Sequence, residues 1–330
     1  MWIAPRDYSP WMPNQFNYPV IVGPTAGGKT ALGVALCKEY ERRGLPMGEV
    51  VTADAYQIYR GMNIGTAKPT IEEMDGVPHH LLDIVDPGER FTVADWLERA
   101  EPMVDRMTSE GIHPVVVGGT NLYIQTFLDG MFTAPEPSNE IMERVEQMEQ
   151  SERRAELLKV DPEAHERIDS NDLRRTRRAL AVYLQTGTPI SELQRQWDQE
   201  DHARPGAVLV GLHWPSELIN PRINQRVKIM IEMGLVEEVR ALWESGKLTD
   251  QSAQAIGYKQ LIEHFERRCS LDEAIERIKI DTRRFAKNQR TWLKRFRGRR
   301  AGSIWIDAPD RDADTMAREI VDRLMEAAAG

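Results

Sequence analysis

The composition of this 330-residue chain is ordinary for a soluble protein and excludes several classes of function. Hydrophobic residues make up 41% and the net charge is −9, so any nucleic-acid contact must come from local basic patches. Two cysteines are too few for a disulfide framework or a cysteine-rich metal site and suit a reducing compartment. No window approaches a membrane span. We therefore expect a cytoplasmic protein with one large and one smaller domain.

Residues 1–17 are predicted to form a loose N-terminal arm, and a phosphate-binding motif follows them. An apolar run at 18–22 predicts a strand, residues 31–37 predict a helix, and the segment between them fits the pattern G-x-x-x-x-G-K-[ST]. In such a loop the backbone N–H groups and the helix N-terminus bind phosphate oxygens, the lysine neutralises a phosphate, and the threonine hydroxyl reaches Mg²⁺ directly or through water. The residues are Gly23, Pro24, Thr25, Ala26, Gly27, Gly28, Lys29 and Thr30. The motif alone does not reveal which molecule carries the phosphates.

The chain continues as alternating strands and helices, which is typical of a parallel α/β sheet. Strands are predicted at 48–53, within 77–87 and at 113–120, and helices at 91–110 and 121–128. The strand at 48–53 delivers Asp54, Ala55, Tyr56 and Gln57 at its carboxyl end, where such sheets bind ligands. We predict a P-loop core with helices on both faces of the sheet, whose first part spans 18–131.

A helical insertion is predicted at residues 132–205. This segment lacks strand-like runs and carries Glu, Arg and Gln at helical spacing, with turns at 161–162, 169–171 and 187–189. The sheet resumes with a strand at 206–212, so residues 206–330 form the second part of the core. That part contains helices at 216–234, 236–245, 271–297 and 314–327 and a strand at 303–307.

Two basic clusters are the second functional signal. Residues 283–300 contain nine basic residues and no acidic one, and the insertion carries four arginines between 174 and 178. A solvated helix face is the alternative for either cluster alone, but the lack of acidic partners in the first favours a phosphate-backbone contact. Together they predict a nucleic acid held between the core and the insertion.

Several enzyme classes fit these residues. An ATPase or GTPase usually places an acidic residue after an apolar strand to bind Mg²⁺, whereas the strand at 113–120 ends in Gly118, Gly119 and Thr120. Asp54 would suit the base of a small-molecule kinase. The predicted nucleic-acid footprint argues for a different reaction.

A series of motifs resembles the tRNA dimethylallyltransferase family, also called the tRNA isopentenyltransferase family. The phosphate loop and residues 54–59 match its pattern, and further matches follow in the family's order over about residues 18–310. These lie at 61–69, 77–83, 118–120, 171–180, 186–191, 222–227, 255–260 and 289–292. The chain lacks the Cys/His spacing of the zinc finger that eukaryotic members add, which favours the bacterial type.

The resemblance implies that the loop binds dimethylallyl diphosphate, with Mg²⁺ as cofactor, and that the five-carbon group passes to N6 of the adenosine immediately 3′ of the anticodon. Asp54 would accept the N6 proton, Thr25 would bond the diphosphate or the base, and Arg226 or Arg222 would stabilise the leaving diphosphate. We expect a monomer that binds tRNA and no membrane. The residues expected to contact tRNA are Asp54, Ala55, Tyr56, Gln57, Thr120, Arg174, Arg175, Thr176, Arg177, Arg178, Lys287, Arg290, Lys294 and Arg295.

Two departures from the family pattern lie in the predicted site. Ala55 replaces the usual serine, so a hydroxyl that would bond the base or orient Asp54 is missing, and Gly27 replaces a common serine. The alternatives are an adenylate isopentenyltransferase, which uses a free nucleotide, a P-loop small-molecule kinase, and an RNA-binding protein without activity. The insertion and the basic stripe argue against the first.

Overall fold

The computed structural model describes residues 16–131, 136–195, 204–299 and 302–329. The chain divides into two compact units, a smaller one at 126–204 and a larger one formed by the residues on either side. Most of the predicted N-terminal arm, at 1–15, lies outside the described residues, as do 132–135 and 196–203 of the predicted insertion.

The elements follow the predicted alternation, with small shifts at their ends. In chain order, the first part of the larger unit and the helix that leads out of it contain β1 (Tyr18–Val22), α1 (Lys29–Arg42), β2 (Glu49–Ala53), α2 (Ile71–Met74), β3 (His79–His80), α3 (Val93–Ser109), β4 (Pro114–Gly118) and α4 (Asn121–Asp129). The smaller unit adds α5 (Asn139–Gln147), α6 (Gln150–Val160), α7 (Pro162–Arg167), α8 (Leu173–Thr186) and α9 (Ile190–Gln194). The second part of the larger unit contains β5 (Ala207–His213), α10 (Ser216–Glu232), α11 (Leu235–Glu244), α12 (Tyr258–Phe265), α13 (Leu271–Arg299), β6 (Ile304–Asp307) and α14 (Ala313–Ala329).

In the described part of the chain, six strands form one parallel sheet in the order β3-β2-β4-β1-β5-β6. Strand β1 is interior and fully buried, with Val20 opposite Val116 on β4 and Leu209 on β5. The carboxyl ends of parallel strands meet at one edge, so the loop after β1 lies beside the ends of β4 and β5. The predicted fold class, a parallel P-loop sheet with helices, is confirmed.

Apolar helix faces hold the sheet in place. Helices α1 and α14 pack together, and their buried residues, such as Leu36 and Ile320, join a cluster with Ile21 and Val210 of the sheet. Burying side chains of this size contributes about 1.5–3 kcal/mol each. Helix α3 packs on β2 and β4, where fully buried Trp96 donates its Nε1 hydrogen to the Thr52 carbonyl over 2.8 Å.

The described residues of the smaller unit, at 126–131, 136–195 and 204, form helices and the turns between them, with no strand. Helix α8 packs against α5 and α6, with Leu157, Ala179 and Val182 in one apolar cluster. Buried Asp161 ties the start of α7 to α9, since its carboxylate accepts from the Ala164 N–H over 2.9 Å and from the Ser191 hydroxyl over 2.7 Å. The predicted turns at 161–162, 169–171 and 187–189 separate these helices. Among the described helices, none combines the length and apolarity that a membrane crossing requires.

Candidate active site

The phosphate loop joins β1 to α1 as the motif predicts. Its turn is closed by a hydrogen bond from the Gly27 N–H to the Pro24 carbonyl over 3.1 Å. Gly28 is the N-cap of α1 with φ 84°, and Ala26 has φ 60°, a value that costs a residue with a side chain about 1–2 kcal/mol. A Cβ at position 27 would lie 2.8 Å from the Pro24 carbonyl oxygen, so the serine common in the family would require this loop to shift.

Arg222 on α10 and Trp214, which lies between β5 and α10, brace the loop from outside. Arg222 donates its Nε hydrogen to the Ala26 carbonyl over 3.2 Å and lies 4.8 Å over the Trp214 ring. Trp214 in turn donates its indole hydrogen to the Gly27 carbonyl over 3.1 Å. These contacts fix the carbonyls of Ala26, the residue with the strained φ, and of Gly27.

Lys29, Asp54 and Arg226 lie close enough to influence one another electrostatically. The Lys29 ammonium donates to the carbonyls of Gly23 and Pro24 over 3.1 and 3.0 Å. Although Lys29 retains some exposure, its ammonium group is enclosed, and this burial, followed by the charge of Arg226, lowers its pKa to about 8 against the opposing effect of Asp54. Burial also lowers the pKa of Arg226, and the charges of Glu73 and then Asp54 oppose that shift. The structure thus brings these three predicted residues together.

Asp54 begins a tight turn after β2. Its Oδ1 accepts from the backbone N–H groups of Tyr56 and Gln57 over 2.9 and 3.3 Å, which is an Asx-type turn. Both bonds use Oδ1, so Oδ2 takes no part in the turn. The Ala55 N–H donates to the Thr120 hydroxyl over 3.0 Å, which ties this turn to the loop after β4.

The amide of Gln57 has a fixed orientation. Its Nε2 donates to the carbonyls of Thr66 and Ala67, each over 3.1 Å, so Oε1 remains as the side chain's acceptor. These carbonyls belong to the segment at 61–69 that matched the family pattern.

Glu238 on α11 holds that same segment, a role that the sequence analysis missed. Its carboxylate accepts from the N–H groups of Asn63, Ile64 and Gly65 over 2.9, 2.8 and 3.1 Å. The Tyr258 hydroxyl adds a fourth bond to the same carboxylate over 2.5 Å. Nothing in the local sequence around Glu238 indicates this contact, because the partners are about 175 residues apart.

Gln289 is a second residue whose role sequence reasoning missed. It is 1% exposed on α13, accepts from the Thr25 N–H over 2.8 Å and donates to the Gly119 carbonyl over 2.8 Å. The Thr25 N–H therefore serves an internal contact in this conformation.

Thr30 is the residue that the motif predicts as a magnesium ligand. It is half-buried in the first turn of α1, and its hydroxyl makes no hydrogen bond within the described residues. Those residues also contain no group of three or more His, Cys, Asp or Glu side chains arranged to hold a metal. A magnesium ion held mainly by phosphate oxygens needs few protein ligands, so a single hydroxyl beside the phosphate loop suits it.

Helix α13 presents the basic residues predicted to bind RNA. Lys287, Lys294 and Arg295 are exposed and Arg290 is half-buried, and within the described ranges none of the four has an ion-pair partner. Unpaired exposed cations on one helix favour a polyanion as partner.

The basic residues on α8 differ from one another in exposure and in ion pairing. Arg174 and Arg178 are exposed, whereas Arg175 pairs with Asp172 over 3.4 Å and Arg177 pairs with Glu146 over 3.1 Å. Thr176 is fully buried, and its hydroxyl accepts from Gln150 over 3.3 Å. Its side chain therefore lies inside the helical unit rather than on the exposed basic face.

Comparison with known proteins identifies the family. A family model described as IPP transferase matches residues 57–296. The chain belongs to the IPP transferase family. The matched residues begin after the phosphate loop and Asp54. The predicted resemblance is confirmed, and the chain is an enzyme of the prenyl transferase class.

Relatives and solved structures extend the similarity over most of the chain. A tRNA dimethylallyltransferase of Geobacillus thermodenitrificans is 45% identical over 83% of this chain and 86% of its own length, and one of Bacillus mycoides is 42% identical over 88% and 90%. The crystal structure of a tRNA isopentenylpyrophosphate transferase from Bacillus halodurans matches with a TM-score of 0.69 at 35% identity, over 96% of this chain and 99% of that one. A eukaryotic dimethylallyltransferase acting on tRNA matches with a TM-score of 0.77 at 26% identity, over 95% and 80%. The chain is therefore of the bacterial type that its sequence predicts.

Proposed function

We propose that this enzyme transfers a dimethylallyl group from dimethylallyl diphosphate to N6 of the adenosine immediately 3′ of the anticodon in tRNA. The products are N6-dimethylallyladenosine and diphosphate. The observation that carries the proposal is that the phosphate loop lies beside Asp54. The two are close enough that the charge of Asp54 raises the pKa values of Lys29 and Arg226 against the lowering caused by burial. The bacterial relatives, which are tRNA dimethylallyltransferases, support the choice of tRNA as acceptor.

The loop binds the diphosphate and stabilises the charge that develops on it. As the allylic C–O bond breaks, its electron pair goes to the diphosphate, and donors arranged around that group lower the barrier. Lys29 and Arg226 supply positive charge there. Arg222 is exposed and braces the Ala26 carbonyl, so we assign the diphosphate contact to Arg226 and the bracing to Arg222.

Magnesium would be held by the Thr30 hydroxyl and the diphosphate, and when bound it would neutralise part of the leaving group's charge. Thr25, next to the Gln289 contact, would offer its hydroxyl to the diphosphate or to the attacked base. Both assignments use side-chain hydroxyls that make no hydrogen bond within the described part of the chain.

Asp54 activates the nucleophile. The lone pair of adenine N6 is delocalised into the ring, so its attack on the allylic carbon is helped when a carboxylate accepts an N6 proton as the new C–N bond forms. The Asx-type turn fixes the Asp54 carboxylate through Oδ1, so Oδ2 is the atom that we assign to the proton.

The adenine must leave its stack to reach Asp54, at a cost of about a few kcal/mol. Residues 54–57 would receive the base. The Thr120 hydroxyl accepts from the Ala55 N–H and so positions this turn. The Gln57 amide, whose orientation is fixed, presents its Oε1 as an acceptor to a base edge. Lys287, Arg290, Lys294 and Arg295, together with Arg174 and Arg178, would bind the RNA backbone and account for affinity rather than base selection.

An incorporation assay separates this function from its alternatives. Purified protein is incubated with labelled dimethylallyl diphosphate and Mg²⁺ in three separate reactions. The first contains unmodified tRNA, the second contains AMP, and the third contains ATP without RNA. Label appearing in N6-dimethylallyladenosine of the tRNA supports the proposal, whereas label on AMP indicates an adenylate isopentenyltransferase. Consumption of ATP without RNA indicates a kinase, and tRNA binding without transfer indicates an inactive RNA-binding protein.

A further inference from the structure

The side-chain amide of Gln289 touches both halves of the proposed site. Its Oε1 accepts from the N–H of Thr25 in the phosphate loop, and its Nε2 donates to the carbonyl of Gly119 in the loop after β4, each over 2.8 Å. Because the residue is only 1% exposed, water does not readily replace either bond, and losing one leaves a buried polar group unpaired. One amide therefore joins the two loops.

The loop after β4 connects Gln289 to the turn that contains Asp54. Next to Gly119, the Thr120 hydroxyl accepts from the N–H of Ala55, the residue that follows Asp54. A chain of hydrogen bonds thus runs from the phosphate loop through Gln289 and the β4 loop to the catalytic turn. A Cβ at position 119 would lie 2.9 Å from Nε2 of Gln289, so the amide occupies space that a side chain there would need.

We infer that Gln289 is a positioning residue for the prenyl transfer, and this inference rests on the proposed function. Its amide holds the diphosphate-binding loop at the distance from the Asp54 turn that lets N6 attack the allylic carbon. Displacing a reacting group by about 1 Å lowers a rate by as much as about 10²-fold. Loss of the amide is therefore expected to act on the chemical step.

Gln289 also lies on α13 between Lys287 and Arg290, the helix that we propose binds tRNA. Those cations are exposed or half-buried whereas Gln289 faces the interior, so removing its amide leaves the basic surface intact. Affinity for tRNA is therefore expected to stay unchanged when the rate falls. A general loss of structure would lower both.

Gln289→Met is the first test, with Gln260→Met as its matched control. Gln260 is also a buried glutamine with two hydrogen bonds, accepting from the Gly257 N–H and donating to Asp281, each over 2.8 Å, but it contacts neither loop. The single-turnover rate is measured at saturating dimethylallyl diphosphate and tRNA, below the Tm of both variants, and the tRNA Kd is measured by filter binding.

The expected result is a decrease of at least about tenfold in the rate for Gln289→Met, a tRNA Kd within about twofold of wild type, and a wild-type rate for Gln260→Met. Hydrogen exchange at residues 23–30 should also accelerate only in Gln289→Met, because the Thr25 N–H loses its acceptor. Equal rates in the two variants would overturn the inference. Absence of transfer by the wild-type enzyme would instead refute the proposed function.

Gly119→Ala tests the same bridge without removing core volume from α13. Its added Cβ would lie 2.9 Å from Nε2 of Gln289 but in ordinary van der Waals contact with Nζ of Lys29, at 3.7 Å. Gln289 is therefore the group that must move, and the rate should again fall while the tRNA Kd holds. A wild-type rate in Gly119→Ala would also overturn the inference, and this variant decides the matter if Gln289→Met does not fold.

Discussion

The lowered pKa of Lys29 predicts that affinity for dimethylallyl diphosphate falls as pH rises through about 8. The ammonium form binds the diphosphate, so affinity is fully present below this pKa and is lost above it. With a pKa of about 8, about nine-tenths of the enzyme carries the charge at about pH 7 and about one-tenth at about pH 9. If charged Lys29 is required, the affinity falls about tenfold over this range.

Two substitutions should move the inflection in opposite directions. Arg226 lowers the pKa of Lys29, so Arg226→Gln should shift the inflection to higher pH even though it weakens binding overall. Asp54 raises that pKa, so Asp54→Asn should shift the inflection to lower pH. Lys29→Arg should remove it, because a guanidinium keeps its charge throughout the range.

Isothermal titration of the enzyme with dimethylallyl diphosphate, without tRNA and at constant ionic strength, measures these Kd values without turnover. The wild-type profile should bend near pH 8, with the two variants on either side of it. A flat profile between about pH 7 and 9, or shifts of both variants in the same direction, would refute the assignment of Lys29 as the titrating diphosphate ligand.

The remaining predictions concern the base, a supporting loop and the RNA surface. Asp54→Asn keeps the Oδ1 acceptor of the turn but loses the base, so the single-turnover rate should fall about 10²–10⁴-fold with tRNA Kd unchanged, and an undiminished rate would exclude Asp54 as base. Glu238→Ala leaves three backbone N–H groups without an acceptor and should lower the free energy of unfolding, measured in urea, by about 1–3 kcal/mol. Glu237, the preceding residue, is exposed, so Glu237→Ala should leave the free energy of unfolding unchanged. Equal effects of the two substitutions would count against the contact. Lys294→Glu with Arg295→Glu should weaken tRNA binding and reduce the slope of log K against log salt by roughly 1–2, and an unaltered slope would argue against α13 as the RNA surface.

The sheet and the phosphate loop were predictable because both depend on local patterns. The apolar run at 18–22 and the glycine-rich turn after it specify a strand, a phosphate loop and a helix within about twenty-five residues. Asp54 was predictable because it follows a buried strand whose carboxyl end must reach the same edge of the sheet. The order of strands in the sheet follows from long-range pairing and was not predicted.

Contacts between distant segments were not predictable from pattern. Gln289 reaches Thr25 across 264 residues, and Glu238 reaches Asn63 across 175, so no spacing rule connects them. The short helix α2 was missed because four residues carry no periodicity, and α12, at 258–265, was left without a prediction although a glycine precedes it. Thr176 was grouped with its arginine neighbours by sequence, whereas helical geometry turns it toward the interior.

The most direct test of the central claim is the nucleoside content of tRNA from cells that lack this protein. N6-dimethylallyladenosine, measured by mass spectrometry of digested tRNA, should disappear from the position 3′ of the anticodon and return on expression of the wild-type enzyme but not of Asp54→Asn. Unchanged content of that nucleoside in the deletion strain, or its full restoration by Asp54→Asn, would contradict the account.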